Sequence, residues 1–517
     1  MARTHIFLTG VTGYLGKVAL EELMRRQEEL GIDRVTCLIR DRGERKGDVR
    51  FREDVVTSPC FSRLPEGWDD IVDVVRGDLA VPGCGIDYDD REMLRQRITH
   101  IIHSAASIEF ELPIAEAADA NITACLNVLA LARSCNNLEH MVAVSTAYVN
   151  PHENNYEPIL ETLAPLPAPA AELYGAIRDG SADEKALLKA ARLPNTYTFT
   201  KNIAEHLVNA RKGNVPVTIV RPSIIGCASN HPFPGWIDSY AGYAGFVALV
   251  GSGELRVLAS RPASKVDVVP VDAVCDRIID ACFSPEAIAL AKTSPTTPIR
   301  HAVSGLKQAN SVATCMNTAV DFFRRHQVRR KAGIVYAGLP GMRFKAYEAR
   351  HHRVRAQVGK LLFGAMGNKK MKSLADKVGS KLVEVNRTFP YFTTNAFNFK
   401  TSVPLQPNEW NKESYPELMC RGVLRHLLRQ DETRSTLAGR KHRELQPDLL
   451  WTLGRPAGNG THRTFAYLLK KLAQRCLDKV TFDRLSFERA CAQVPEEDLV
   501  VVVPTAAMAL EALLTVV

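Results

Sequence analysis

The run His5-Ile6-Phe7-Leu8-Thr9-Gly10-Val11-Thr12-Gly13-Tyr14-Leu15-Gly16-Lys17 constrains the fold more than any other part of the chain. An apolar stretch enters a G-x-x-G-x-x-G loop, and a helical pattern from Val18 to Leu30 leaves it. That order of strand, tight turn and helix belongs to a dinucleotide site. Gly10 permits the turn, Gly13 lets main chain approach a pyrophosphate, and Gly16 allows close helix packing. Phosphate charge then sits at the helix N-terminus. Thr12, Tyr14 and Leu15 complete the expected loop. Glycine-rich turns without ligands are common, so the loop gains its weight from a second motif downstream. Residues 1 to about 300 alternate strand-like and helix-like runs, as an α/β doubly wound parallel sheet requires.

That second motif, Pro194-Asn195-Thr196-Tyr197-Thr198-Phe199-Thr200-Lys201, places a Tyr and a Lys four residues apart, on one helix face. A phenol titrates near ~10 and is a poor acid or base at neutral pH, but a nearby ammonium favours the phenolate. Lys201 is therefore expected to tune Tyr197 and to hold a ribose. Tyr and Lys are common on half-exposed helices, so this spacing is informative only with the glycine loop upstream.

Strand ends supply the rest of a cofactor groove: Asp78 and Leu79 after Val72 to Val75, and Ser104 and Ala105 after Ile101-Ile102. Ser145 and Thr146 follow Val142 to Val144, where a hydroxyl suits a substrate carbonyl opposite Tyr197; simple strand capping is the plainer reading of either alone. Pro222, Ser223 and Ile224 end another buried strand. The second strand, Val35 to Arg40, meets the adenosine ribose. Arg40, with Arg42, Arg45 and Lys46 nearby, suits a 2′-phosphate and favours NADPH. Asp41 is the alternative ribose ligand.

With these blocks the chain resembles the extended short-chain dehydrogenase/reductases of Rossmann fold, and within them the fatty acyl-CoA reductases. The resemblance rests on Thr9 to Gly16, Ser104 to Ser107, Ser145 to Asn150, Thr196 to Lys201, Arg221 to Ile225, Pro234 to Ile237, Val268 to Asp272 and Pro390 to Phe397. It implies two-step reduction of a long-chain acyl-CoA to a fatty alcohol with NADPH. Thr146 or Ser145 and Tyr197 stabilise the oxyanion, a hemithioacetal expels CoA, and Tyr197 protonates the second product. Three rivals stay open: a reductase stopping at the aldehyde, a sugar or sterol reductase or epimerase with the same Tyr/Lys pair, and a silent dinucleotide-binding scaffold.

The chain has 517 residues, too many for one ordinary core. The expected division is a reductase domain over 1–300 with a lid or linker at 151–194, a helical domain over 301–405, and a helical tail over 406–517. Twelve cysteines without metal spacing or paired CxxC motifs fit a reducing cytoplasm and no metal. The formal charge of +9 is concentrated in 321–381, which carries 16 Lys and Arg against 3 Asp and Glu. A solvated helical face is one reading; attraction to CoA phosphates, to an acidic carrier protein or to an anionic membrane surface is the other. Nucleic acid is excluded for want of a reading motif. No apolar stretch reads as a membrane span, so a soluble or peripheral protein is expected. Leu499 to Thr505 resembles the lead-in to a glycerol-3-phosphate acyltransferase, but the positions of that family's histidine and aspartate hold Ala506 and Glu511, so no acyltransferase activity is expected. The oligomeric state is not readable from the sequence.

Overall fold

A computed structural model describes residues 4–430, apart from 152–156, 327, 329–330, 355, 359, 361–368 and 405–409. The sequence-predicted helices Phe465 to Leu477 and Phe487 to Val494, and the stretch around Ala506 and Glu511, lie outside the described residues.

Seven short apolar runs become strands: β1 (Thr4–Thr9), β2 (Ile32–Ile39), β3 (Val72–Arg76), β4 (His100–His103), β5 (His140–Val144), β6 (Val217–Pro222) and β7 (Ile299–Ala302). They pair in the order β3-β2-β1-β4-β5-β6-β7, every pair parallel. Parallel strands need crossovers and are covered on both faces, which is why the inner strands carry continuous apolar stretches such as Ile6-Phe7-Leu8, Ile101-Ile102 and Met141 to Val144 rather than alternating. The order reverses between β1 and β4, where Leu8 faces both Cys37 of β2 and Ile102 of β4. Ligands of such sheets bind in the crevice beyond the strand ends at that reversal.

The principal helices are α1 (Tyr14–Arg25), α2 (Ile114–Ser134), α3 (Ala170–Arg178), α4 (Glu184–Ala191), α5 (Thr196–Arg211), α6 (Gly242–Gly251), α7 (Val271–Phe283), α8 (Val312–Arg325) and α9 (Tyr415–Gly422). Alternation along β1 divides the core. Ile6 and Leu8 meet Leu20 and Leu23 of α1 and Ile278 and Ile279 of α7, whereas Phe7 meets Val128 of α2 and Val208 of α5. Burying one such side chain contributes about 1.5–3 kcal/mol, and truncating it to Ala costs about 2–5 kcal/mol.

The 151–194 insertion contributes α3 and α4. Leu173, Ile177 and Leu193 pack with Ile114 of α2 and with Phe199 and Ile203 of α5, adding a helical layer outside α5. α2 is, among the described residues, the one helix long and apolar enough to cross a membrane by length and composition. It serves here as a core helix; its Asp119, Asn121 and Asn127 interrupt the apolar run that a scan of the sequence looks for.

A second core joins Val247 of α6, Phe322 and Phe323 of α8, and Met419 and Leu424. The edge of Gly251 is filled by the Phe323 ring, which a Cβ there would meet at 2.6 Å. The boundary expected at residue 300 falls inside β7, and all described residues belong to one unit spanning Met1–Gly439. The sheet therefore does not end where the helical region begins.

Candidate active site

The loop after β1 folds back on itself and on the loop after β4. Gly10 has φ 86°, and the Gly13 amide donates to the Gly10 carbonyl at 2.9 Å. A Cβ on Gly10 would lie 2.7 Å from both the Ala105 nitrogen and Ser104 Oγ. Ser104 Oγ donates to the Thr9 carbonyl at 2.8 Å, and the Ala105 amide donates to Thr9 Oγ1 at 3.3 Å. Helix α1 starts at exposed Gly13 with no side-chain cap, so its first amides are left for another acceptor. Thr12 is partly buried beside it. The Tyr14 hydroxyl donates to the carbonyls of Gly226 and Trp236, both at 2.9 Å, and Leu15 packs into the α1–α7 core. The side chains of Tyr14 and Leu15 thus serve the fold.

Arg40 follows β2 with its side chain 70% exposed and Nη1 3.6 Å from Asp78 Oδ2. Asp41 is engaged: its carboxylate accepts from the Gly47 amide at 2.8 Å and faces Lys46 Nζ at 3.2 Å. Arg45 binds Glu53 and Asp54, each at 2.7 Å. Arg40 directly follows the strand, and Arg42, two residues on, is exposed as well. Asp78 Oδ1 accepts from the Ala80 amide at 3.0 Å, and the Leu79 carbonyl accepts from Asn127 Nδ2 at 2.8 Å, which fixes the turn after β3.

Asn195 caps α5, its side chain accepting from the Thr198 amide at 2.9 Å, and so sets the first turn that carries Tyr197. One turn later Lys201 is buried and donates from Nζ to the carbonyl of Val144, the last residue of β5, at 2.9 Å. Ser145 and Thr146 follow immediately. Thr146 Oγ1 accepts from the Tyr148 amide at 3.3 Å. Burial pushes the Tyr197 phenol up to about 12, with the Thr146 hydroxyl acting the other way. Burial also lowers the Lys201 ammonium, with Cys125 and Glu205 opposing. The Lys201 ammonium gives one of its three N–H donors to the β5 carbonyl. Ser145 Oγ is buried without a hydrogen-bond partner, an acceptor and donor held ready for a ligand atom.

Pro222, Ser223 and Ile224 leave β6 as a wall rather than as free donors. Ser223 Oγ donates to Asp267 Oδ1 at 2.6 Å, and the same carboxylate accepts from the amides of Ser304 at 2.9 Å and Gly305 at 2.7 Å. Burial raises the Asp267 carboxyl, and those hydrogen bonds oppose it. Asp272 likewise accepts from the amides of Ser229, Asn230 and His231 at 2.9, 2.7 and 3.1 Å, shaping the turn before Pro234-Gly235-Trp236. Sequence reasoning assigned neither carboxylate a role; the available signal was an acid on each side of the apolar Val268-Val269-Pro270-Val271.

The glycine cradle, the uncapped helix and the orphaned Ser145 hydroxyl all fit a dinucleotide. Residues 8–278 match a family of NAD-binding proteins described as Male sterility protein, which makes the group a nicotinamide cofactor. Mouse fatty acyl-CoA reductase 1 is 32% identical over 286 residues, 54% of either chain. The Drosophila melanogaster fatty acyl-CoA reductase wat is 30% identical over 281 residues, again 54% of either chain. The chain spans about half the length of the curated relatives it matches. Among solved structures, the terminal R domain from the myxalamid PKS-NRPS biosynthetic pathway superposes with a TM-score of 0.56 at 23% identity, covering 83% of this chain and 91% of that one. The reductase (R) domain of a nonribosomal peptide synthetase from Mycobacterium tuberculosis gives 0.52 at 17% identity, covering 82% and 91%. These two share the fold. With its model matched across more than half the sequence, and with the glycine loop and strand-end crevice in place, the chain belongs to the Male sterility protein family of NAD-binding proteins.

Proposed function

We propose that this protein reduces long-chain fatty acyl-CoA to fatty alcohol with NADPH, in two steps through a hemithioacetal and an aldehyde. The observation that carries this reading is the bond from buried Lys201 Nζ to the Val144 carbonyl at 2.9 Å, which fastens the helix turn bearing Tyr197 to the strand end that leads into Ser145 and Thr146. A phenol pushed up to about 12 is fully protonated at neutral pH, the state a proton donor needs. The relatives named fatty acyl-CoA reductase support a thioester substrate.

NADPH, when bound, supplies hydride to the carbonyl carbon. Tyr197 and the hydroxyls of Thr146 and Ser145 donate hydrogen bonds to the developing oxyanion. Collapse of the hemithioacetal breaks its carbon–sulfur bond, and the thiol leaves with the proton. In the second reduction Tyr197 gives its proton to the alkoxide. Lys201 keeps the α5 turn against β5 and so holds Tyr197 and Thr146 at one distance. The preference for NADPH over NADH rests on Arg40, an exposed cation at the end of β2 where a 2′-phosphate would lie, and on Asp41 being engaged by the Gly47 amide.

The test is the ratio of NADPH oxidised to CoA thiol released, with the organic product identified. Two NADPH per thiol and a fatty alcohol support the full reading. One NADPH and an aldehyde remove the second step. No turnover with acyl-CoA, but turnover with a sugar or sterol, overturns the substrate class.

A second reading concerns location: a protein of the cytoplasm that touches an anionic membrane surface. It is favoured by Val335, Leu339, Met342 and Tyr347, large apolar side chains exposed within one short segment that also exposes Lys331, Arg343 and Lys345. Met342 is 91% exposed. Cosedimentation with phosphatidylserine vesicles, lost in Met342→Asp and in high salt, is the expected result; equal recovery with neutral vesicles or none with either rejects it.

A further inference from the structure

The loop that leaves β4 runs past the cofactor crevice and then does something the proposed chemistry has not used. Phe110 lays its ring on Tyr197, with centroids 5.8 Å apart and planes 29° apart. The same ring also meets Phe392 at 5.9 Å and Phe389 at 6.3 Å, from a segment almost three hundred residues further along the chain. The loop is fastened at both flanks. Thr196 Oγ1, in the first turn of α5, donates to the Leu112 carbonyl at 2.9 Å. Glu111 forms an ion pair with Arg387, just before Phe389.

We propose that Phe110 is a positioning residue for the reaction: it covers the Tyr197 phenol and, with Phe389 and Phe392, forms the aromatic wall against which the first carbons of the acyl chain lie. This rests on the thioester-reductase reading and names the part of the site that would receive the chain. Three features support it. The ring is held from two directions, by α5 and by the 387–392 segment, so it has little freedom to leave the phenol. The ring and its neighbours Phe389 and Phe392 are apolar, so together they suit an unbranched methylene chain and exclude water from the proton being transferred. Finally, the wall joins a loop bordering the cofactor to a segment far along the chain, so the site is complete only when both are present. Lys201 lies one turn along the same helix, the phenols of Tyr148 and Tyr391 pack in the aromatic cluster that includes Phe110, and Glu111 and Arg387, which flank Phe110 and Phe389 in sequence, are paired with each other. Removing the Phe110 ring therefore changes solvation of the phenol without removing a charge.

The experiment uses the full chain with Phe110→Ala and the milder Phe110→Leu. NADPH affinity, read by fluorescence titration, is expected to stay within about twofold, since Phe110 lies on the substrate side, and kcat with a long-chain acyl-CoA is expected to fall about tenfold or more. An acid that must be protonated loses activity as pH rises through its pKa. Opening the phenol to water brings Tyr197 down from about 12 toward the ordinary ~10, so the alkaline limb of kcat should move to lower pH in both variants. The same shift is measured without turnover by NMR of 13Cζ-labelled tyrosine, with the Tyr197 signal assigned by its loss in Tyr197→Phe. A parent protein that reduces no acyl thioester would sink the functional reading, while the NMR titration still reports on Phe110. An unmoved Tyr197 titration, or kcat equal to that of the parent, overturns the positioning role.

Discussion

Replacing Gly16 with Ala tests the cofactor loop with a single methyl group. A Cβ at Gly16 would lie 2.1 Å from the Gly10 carbonyl oxygen, 2.5 Å from its carbon and 2.9 Å from Val11 Cα. All three are main-chain atoms, so no side-chain rotation relieves the clash. Ordinary contact begins at 3.4 Å, which requires the loop and α1 to part by about 1.3 Å. Overpacking of this kind costs about 1–3 kcal/mol of stability. A displacement near 1 Å in a positioned site costs about a hundredfold, or ~2.7 kcal/mol of binding. The expected result is therefore an NADPH dissociation constant raised about a hundredfold, with a smaller drop in the urea midpoint. Gly175→Ala is the control, since a Cβ at Gly175 meets nothing within 4 Å. If Gly16→Ala binds NADPH within threefold of the parent, the close approach of loop and helix does not shape the phosphate cradle, and the role given to Gly16 is wrong.

Arg40→Ser should weaken NADPH by about tenfold or more and leave NADH unchanged, because only the 2′-phosphate loses a partner; equal losses for both cofactors would reject Arg40 as the selective group. Arg221 is fully buried and held by both oxygens of Glu205, at 2.9 and 2.5 Å, so Glu205→Gln should destabilise the protein by about 3 kcal/mol in urea titrations. A midpoint unchanged by that substitution would mean the guanidinium finds another acceptor. Acid should also weaken the fold. Burial lowers His100 and His140 to about 4 and His103 to about 3, so each is neutral when folded and protonates in the unfolded chain first. Stability is then intact above the ordinary histidine range near ~6.5 and falls by on the order of a few kcal/mol as pH drops toward 4. Flat stability from pH 7.5 to pH 5 would contradict the neutral, buried assignment.

Much of the sheet was legible because a buried parallel strand carries a continuous apolar stretch. β2 to β6 lie within a few residues of the runs read from the sequence, and the glycine loop enters α1 as its spacing requires. β7 was not visible: Ile299-Arg300-His301-Ala302 is an edge strand with two polar side chains, preceded by Ser294 to Pro298, and it reads as the end of a domain. Tyr197 and Lys201 were legible because helical period is local. The Val144 carbonyl as the Lys201 partner was not, because it reaches Lys201 only through the packing of α5 on β5. Phe110 carried no signal by itself, since its meaning comes from Phe389 and Phe392 at the far end of the chain.

The late arrival of β7 shapes how the protein is made. β6 acquires its outer neighbour only after residue 302 has left the ribosome, and until then Val217–Pro222 shows an open row of N–H and C=O groups to any passing strand. Parallel pairing between distant segments is slow, which lengthens that exposed interval. Fastening continues later still. The Tyr240 hydroxyl donates to the Leu427 carbonyl at 2.6 Å, and the Cys227 amide donates to Met419 Sδ at 3.3 Å. A shortened reductase cut at residue 300 would therefore be a nascent-chain intermediate in isolation, and a version meant to fold on its own has to run through Leu427.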